Sequence, residues 1–259
     1  MKGSVCAAFY ISHRVYLYNI MKKTVQLSFD AEHSIISRGY AVVCGTDEAG
    51  RGPLMGPVYA AACILEDGDV IEGLDDSKKL SERRREQLFD IICSRAAAYA
   101  VASADVEDIE RVNILEAAQD AMRRAVAALT IRPDAVIVDG NIARGFDIPA
   151  FTLIGGDGIS PSVAAASVLA KVSRDRVCRE LDALYPQYHF AQNKGYGTLS
   201  HYAALDEYGI IEGVHRPSFL KKYIASRESA GAAVKYYTAD NCAKTPSNAP
   251  DAAKYDDCE

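Results

Sequence analysis

The sequence predicts an α/β fold, and three observations predict it. Short apolar runs rich in Val, Ile, Tyr and Ala alternate with segments whose apolar residues recur at helical spacing. One run, Ala135-Val136-Ile137-Val138, is continuously apolar, as in a strand covered on both faces near the middle of a sheet. Three of the strand-like runs stop at acids beside glycines, and strand ends are where an α/β sheet gathers its chemistry.

Taken in order, Met1 to Ile20 has mixed apolar character broken by His13 and Arg14, with no clean signal-peptide core. Met21-Lys22-Lys23 reads as a second start, which leaves the first 20 residues as an appendage or an artefact of start choice. Thr24 to Leu27 reads as a short strand and Phe29 to Ile36 as a short helix. Tyr40 to Thr46 is the first main strand. Val58 to Leu65 is the second, close enough in sequence to pair with it antiparallel. Ser81 is a good N-cap for a helix carrying Leu88, Ile91 and Ile92. Ala98 to Ala104 reads as a third strand, and Asp105 with Asp108 has capping-box spacing. A helix from about Asn113 to Leu129 lines up Ile114, Leu115, Ala118, Met122, Ala125, Val126 and Leu129.

After the 135–138 strand comes Phe151 to Ile154, ending in Gly155-Gly156-Asp157-Gly158. Ser160-Pro161 pairs an N-cap with proline at the first helical position. The helix behind it runs to about Leu184 and opens with small residues that would let it lie close to the sheet. Pro186 stops it. Leu199 to Tyr208 is a further helix ended by Gly209, and His215 to Phe219 closes the ordered part. From about Arg227 the composition turns to Ala, Ser, Asn, Asp and Lys, and a flexible tail is expected.

Composition bounds the function classes. The 259 residues, 49% apolar and 25% charged, describe an ordinary globular protein. The net charge of -6 does not favour a nucleic-acid binder, but a local basic patch is what decides such binding. Seven cysteines without a Cys-x-x-Cys pair fit small core residues and a reducing cytoplasm rather than a zinc site or a disulfide framework. No segment reaches the roughly 18 to 20 consecutive apolar residues of a bilayer span, so no membrane partner is expected. The absence of Gly-Lys-Ser/Thr excludes a P-loop.

The chemistry collects in three places: Asp47-Glu48, Asp139 and Asp157. An isolated Asp-Glu pair after a strand is ordinarily a polar turn, and Asp139-Gly140-Asn141 alone is turn chemistry. Three strand ends doing the same thing point elsewhere. Four hard oxygen donors without His or Cys beside them suit Mg²⁺ or Mn²⁺.

Five segments then carry a resemblance. Gly45-Thr46-Asp47-Glu48-Ala49-Gly50-Arg51-Gly52-Pro53, Asp76-Ser77-Lys78-Lys79-Leu80-Ser81, Val138-Asp139-Gly140-Asn141, Ala164 to Asp175, and Lys194-Gly195-Tyr196-Gly197-Thr198 resemble, in order, the motifs of the type 2 ribonuclease H family, ribonuclease HII. The likeness covers about Val42 to Phe219. It implies a ribonuclease H-like fold, a central mixed β-sheet flanked by helices with a small helical C-terminal extension. It implies an endoribonuclease that hydrolyses RNA in RNA/DNA hybrids and nicks duplex DNA on the 5′ side of embedded ribonucleotides by two-metal-ion catalysis. Asp47, Glu48, Asp139 and Asp157 match the catalytic, metal-holding carboxylates. Gly50, Arg51 and Gly52 match the loop that senses a 2′-hydroxyl, and Tyr196 the ring that stacks on the neighbouring sugar.

Lys78 and Lys79 are expected to contact phosphate, with Ser77 helping. Lys171 and Asp175, four apart on one helix, are expected near the site and could pair with each other. His201 and His215 stay outside the catalytic set, and Arg83-Arg84-Arg85 reads as a solvated helix face. Two departures from the family stand out: Gly155 occupies the place of a common lysine before Gly-Asp, and Asn193 replaces a frequent histidine. The related ribonuclease HIII would need a larger N-terminal domain, and an actin-like ATPase would need duplicated phosphate loops. A catalytically silent hybrid-binding protein is the rival from another class. The expected organisation is an appendage over 1–39, a catalytic domain over 40–226 and a tail over 227–259, in a cytoplasmic monomer.

Overall fold

The computed structural model describes residues 27–237; all but the last residue of the strand expected at 24–27, everything before it and most of the tail lie outside the described residues. The chain divides into two compact units. The first takes in the residues up to Ala49 together with Tyr59–Ser103 and Ala118–Ser173. The second takes in Gly50–Val58, Ala104–Ala117 and the residues from Arg174 onward.

The first unit is built on a five-stranded mixed sheet. Its strands are β1 (Val43–Ala49), β2 (Val58–Ile64), β3 (Ala98–Ala104), β4 (Ala135–Asp139) and β5 (Ala150–Leu153), in spatial order β3-β2-β1-β4-β5. β1 pairs antiparallel with β2, and β4 lies parallel to both β1 and β5. The expected first strand, Tyr40 to Thr46, is shifted by three residues. The cause is pairing: the β1–β2 ladder continues through Asp47↔Ala61 and Glu48↔Ala60 to Ala49↔Tyr59. The two acids are therefore held inside a hydrogen-bonded strand.

Helix α1 (Asp30–Ile36) packs Ala31 and Ile35 against Val43, Ala135 and Ile137. Residues 27–36 thus belong to the core of this unit, and the expected appendage over 1–39 is corrected to that extent. Burial of Leu27 and Phe29 as well is the reason the segment is held. Helix α2 (Glu82–Arg95) starts at Ser81, whose side chain accepts from the Arg84 amide. It buries Leu88 and Ile92 in a cluster shared with Ala61, Cys63 and Ala164–Ala166. The triple arginine is only partly a solvated face. Arg84 donates to the Glu72 carbonyl, and Arg85 to the carbonyls of Ser77 and Leu80. Helices α3 (Val106–Val112) and α4 (Ile114–Ala127) follow β3, with Asp105 and Asn113 as their caps.

Helix α5 (Pro161–Leu184) begins in the first unit, with Ser160 Oγ accepting from the Val163 amide. Its small opening residues do let it lie close: a Cβ added to Gly45 would stand 2.4 Å from the backbone of Ser162 and Val163. Only glycine allows β1 and α5 this approach.

The second unit contains α6 (Phe190–Asn193), α7 (Leu199–Tyr208) and α8 (Pro217–Ser229) around Tyr188, Phe190, Leu205 and Leu220. A two-residue strand β6 (Ile210–Ile211) pairs parallel with β7 (Tyr236–Tyr237). The expected boundary at 227 falls inside α8. Proline at the first turn of α8 and the docking of Tyr237 on this core are why regular structure continues.

Candidate active site

All four acids belong to the first unit. Successive side chains of a strand point to opposite faces, so Asp47 and Glu48 leave β1 on different sides. Asp47 is buried at 4% exposure; Glu48 is half-buried. The parallel β1–β4 pairing runs Thr46 beside Val138, which brings Asp139 to the end of the neighbouring strand. Asp157 lies buried in the 3₁₀ turn Gly156–Gly158 that follows β5. The backbone ties these ends together, because the Gly156 amide donates to Asp139 Oδ1 at 2.7 Å.

The charges act on one another. The pKa of Asp47 is raised well above the ordinary carboxylate range, first by burial, then by Glu48 and Asp139. Asp139 is raised by burial, against the pull of the Gly156 amide, and further by Glu48. Asp157 is raised by burial and then by Asp139 and Asp76, with Lys78 working the other way. Asp47, Asp139 and Asp157, each with its ionised form disfavoured, make with Glu48 a hard, all-oxygen donor set, and that chemistry fits a divalent cation such as Mg²⁺ or Mn²⁺. Among the described residues, no group of three or more His, Cys, Asp and Glu side chains is drawn together as closely as a formed ligand sphere requires. The fit therefore rests on donor chemistry and mutual repulsion.

Two serines support the acids from behind. Ser77 is buried at 3% exposure and its hydroxyl lies 2.8 Å from that of Ser167. Ser167 in turn hydrogen-bonds Asp47. The Ser77 hydroxyl thus faces the protein interior. Lys78 is exposed, with Nζ 3.6 Å from Asp157 Oδ2. Its pKa is raised because Asp157, Asp47, Asp76 and Asp139 outweigh its partial burial. Lys78 thus supplies a cation to the acid that Gly155 leaves without a lysine. Lys79 is engaged by Asp75 at 2.9 Å. Lys171 is half-buried in this unit.

In the second unit, Gly50, Arg51 and Gly52 open the loop that runs directly out of β1. Arg51 and Gly52 are exposed, and Tyr196 is 49% exposed. A Cβ on Gly52 would stand 3.2 Å from Tyr196 Cε1, so ring and loop are neighbours. Asn193 organises the Tyr196 turn: its amide donates to the Tyr188 carbonyl at 2.7 Å and its oxygen accepts from the Gly195 amide at 2.8 Å. The Asn in place of a frequent histidine is thereby accounted for. Gly195 has φ +77° and a Cβ there would fall 2.5 Å from Met55 Sδ. Asp175 is buried in α5.

Sequence reasoning missed what lies under this loop. Arg216 is fully buried and its guanidinium donates to the carbonyls of Gly50 (2.8 Å), Arg51 (3.1 Å), Pro53 (2.9 Å) and Gly56 (2.8 Å). Burial, and then Arg174, lower its pKa to about 9, so it stays charged at neutral pH. His201 and His215 are also buried. The Ile211 amide donates to His215 Nδ1 at 2.9 Å, and the two Nε2 atoms lie 3.1 Å apart. His215 Nε2 must then carry the proton, and His201 Nδ1 donates to the Tyr196 carbonyl at 2.9 Å. The sequence signal for this set was the run His215-Arg216-Pro217, polar residues at the start of a helix.

The family model described as Ribonuclease HII matches residues 44–222. A ribonuclease HII of Caldicellulosiruptor saccharolyticus is 47% identical over 196 residues, covering 76% of this chain and 95% of that protein. One from Albidiferax ferrireducens is 54% identical over 178 residues, covering 69% and 86%. Among solved structures, the ribonuclease H2 of Pyrococcus horikoshii aligns with a TM-score of 0.60 at 24% identity, over 72% of this chain and 99% of that one. That last likeness concerns the fold.

Proposed function

The chain belongs to the ribonuclease HII family and is a ribonuclease H enzyme acting on RNA/DNA hybrids, and we propose that it also nicks duplex DNA on the 5′ side of single embedded ribonucleotides, leaving 3′-hydroxyl and 5′-phosphate ends. Such nicks would open the repair that removes ribonucleotides from DNA, carried out by a cytoplasmic monomer. The observation that carries the reading is the gathering of acids at one end of the sheet: Asp47 in β1 and Asp139 at the end of β4, which accepts from the Gly156 amide of the turn that holds Asp157, with the pKa of all three raised.

In this reading Asp47, Glu48, Asp139 and Asp157 would hold two divalent cations, Mg²⁺ or Mn²⁺, which would supply Lewis acidity to the scissile phosphate and acidify the attacking water. The chain's own groups do the rest. Ser167 and the Glu48 amide, 2.7 Å from Asp47 Oδ1, hold the Asp47 carboxylate in one orientation. The Gly156 amide does the same for Asp139. Lys78 offers an exposed cation to a phosphate of the strand. Gly50-Arg51-Gly52 reads the 2′-hydroxyl through backbone groups, since that hydroxyl is what separates RNA from DNA. Tyr196 lays its ring on the adjoining deoxyribose.

The test is a labelled duplex with one internal ribonucleotide, incubated with Mg²⁺ or Mn²⁺ and again with EDTA. A metal-dependent nick immediately 5′ of the ribonucleotide is expected, with an all-DNA duplex left intact. Cleavage of the hybrid without any nick in the single-ribonucleotide duplex would reject the junction reading.

A further inference from the structure

Arg216 does more than fill a core position. A buried guanidinium has five N–H donors in a rigid plane, and here four hydrogen bonds go to carbonyls of one short loop. No cis peptide occurs among the described residues. In a trans peptide the carbonyl of one residue and the amide of the next point to opposite sides. Drawing the carbonyls of Gly50 and Arg51 toward the guanidinium therefore turns the amides of Arg51 and Gly52 to the other side.

The backbone beside Arg216 fastens the same loop. The Arg216 amide donates to the Leu54 carbonyl and the Gly56 amide to the Val214 carbonyl, each at 2.8 Å. Leu54 also donates to the Gly195 carbonyl at 2.8 Å, which links the loop to the Tyr196 turn. From the adjacent residue, the His215–His201 pair reaches the Tyr196 carbonyl. Two recognition segments far apart in sequence thus share one support.

We infer that the His215-Arg216 dipeptide is a specificity-determining positioning element, which sets the outward amides of residues 51 and 52 and the seat of Tyr196 so that a ribose 2′-hydroxyl is distinguished from a deoxyribose. The inference rests on the junction reading given above for Gly50-Arg51-Gly52 and Tyr196. Arg216 acts through the loop and touches no reacting atom.

The experiment uses the full chain and Arg216→Lys, which keeps the charge but cannot reach four carbonyls in one plane. Three quantities are read: the ratio of kcat/KM on a single-ribonucleotide duplex to that on a uniform RNA/DNA hybrid, amide hydrogen exchange over residues 50–56 and 195–197, and the unfolding temperature. The expected result is a ratio lowered about tenfold to a hundredfold. Exchange should quicken over both segments while the rest of the chain keeps its protection. His201→Gln, a milder change, should quicken exchange at 195–197 alone and lower the ratio less. Unchanged ratio and exchange in Arg216→Lys would overturn the inference. So would equal loss on both substrates together with a lowered unfolding temperature, which is the mark of a purely structural arginine. If Arg216→Lys does not fold, His201→Gln decides by the same criteria. If the unmodified enzyme itself shows no preference, the junction reading fails, and the exchange data alone judge whether the dipeptide positions the loop.

Discussion

His201 and His215 meet Nε2 to Nε2 at 3.1 Å, both buried, so that one must donate and the other accept. Such a contact exists only while both rings are neutral or one proton is shared. Burial lowers the pKa of His201, and burial together with His201 lowers that of His215 to about 3.

The first expected outcome concerns pH. The folded pKa of His215 lies below the ordinary 6.5, so between about pH 3 and pH 6.5 the unfolded chain binds the extra proton. The contribution is complete above 6.5 and is lost as pH falls, reaching about 2 kcal/mol at pH 5. The raised carboxylates Asp47, Asp139 and Asp157 work with the opposite sign, since the folded state is the one that holds their protons. Urea unfolding of the unmodified protein and of His215→Gln from pH 7.5 to 5 separates the two, because only the histidine part differs between them. Parallel profiles would refute the neutral pair.

Asp47→Asn is expected to lower kcat on an RNA/DNA hybrid by roughly a hundredfold or more. It should also raise the urea midpoint at pH 7 without added metal, because it removes a buried carboxyl whose ionised form is disfavoured by burial, Glu48 and Asp139. A variant both inactive and less stable would mean that the carboxylate is held for the fold.

Ser167→Ala removes a partner from both Ser77 and Asp47 in a buried setting. A loss of about 1–3 kcal/mol is expected, with kcat falling while KM stays nearly constant. Steady-state kinetics beside thermal unfolding read both effects.

Lys78→Gln should weaken hybrid binding with little change in stability, since the side chain is exposed. The dependence of log K on log salt should fall in slope by about 1, as for one lost phosphate contact. Fluorescence anisotropy at several salt concentrations measures it, and an unchanged slope would remove Lys78 from the phosphate path.

Gly195→Ala places a Cβ 2.5 Å from Met55 Sδ at a left-handed φ. It is expected to cost about 1–3 kcal/mol and to blunt discrimination between ribonucleotide and deoxyribonucleotide duplexes. Tyr196→Ala, at a half-exposed ring, should blunt the same discrimination with stability held within about 0.5 kcal/mol.

What the sequence disclosed was mostly local. Ser81, Asp105 and Ser160 were readable as caps because capping depends on residues three positions away. The buried run at 135–138 and the small face of α5 were readable from composition along a few turns. The carboxylates were readable because they stand in motifs. The true extent of β1 was not, since its end is set by its partner β2 rather than by its own residues. Nor was the Ser77–Ser167 hydrogen bond, which joins residues ninety positions apart. Arg216 was hidden for the same reason: its four acceptors lie about 160 positions upstream.

The parallel pairing of Val43 with Ala135 has a kinetic meaning as well. The β1–β2 ladder closes a short loop and can form early, whereas β1 and β4 must find each other across a long stretch of chain. Asp47 and Asp139 stand on those two late partners. Catalytic competence should therefore appear during refolding with the slow, long-range phase, and a chain still emerging from the ribosome before β4 is complete carries only one side of its acidic cradle.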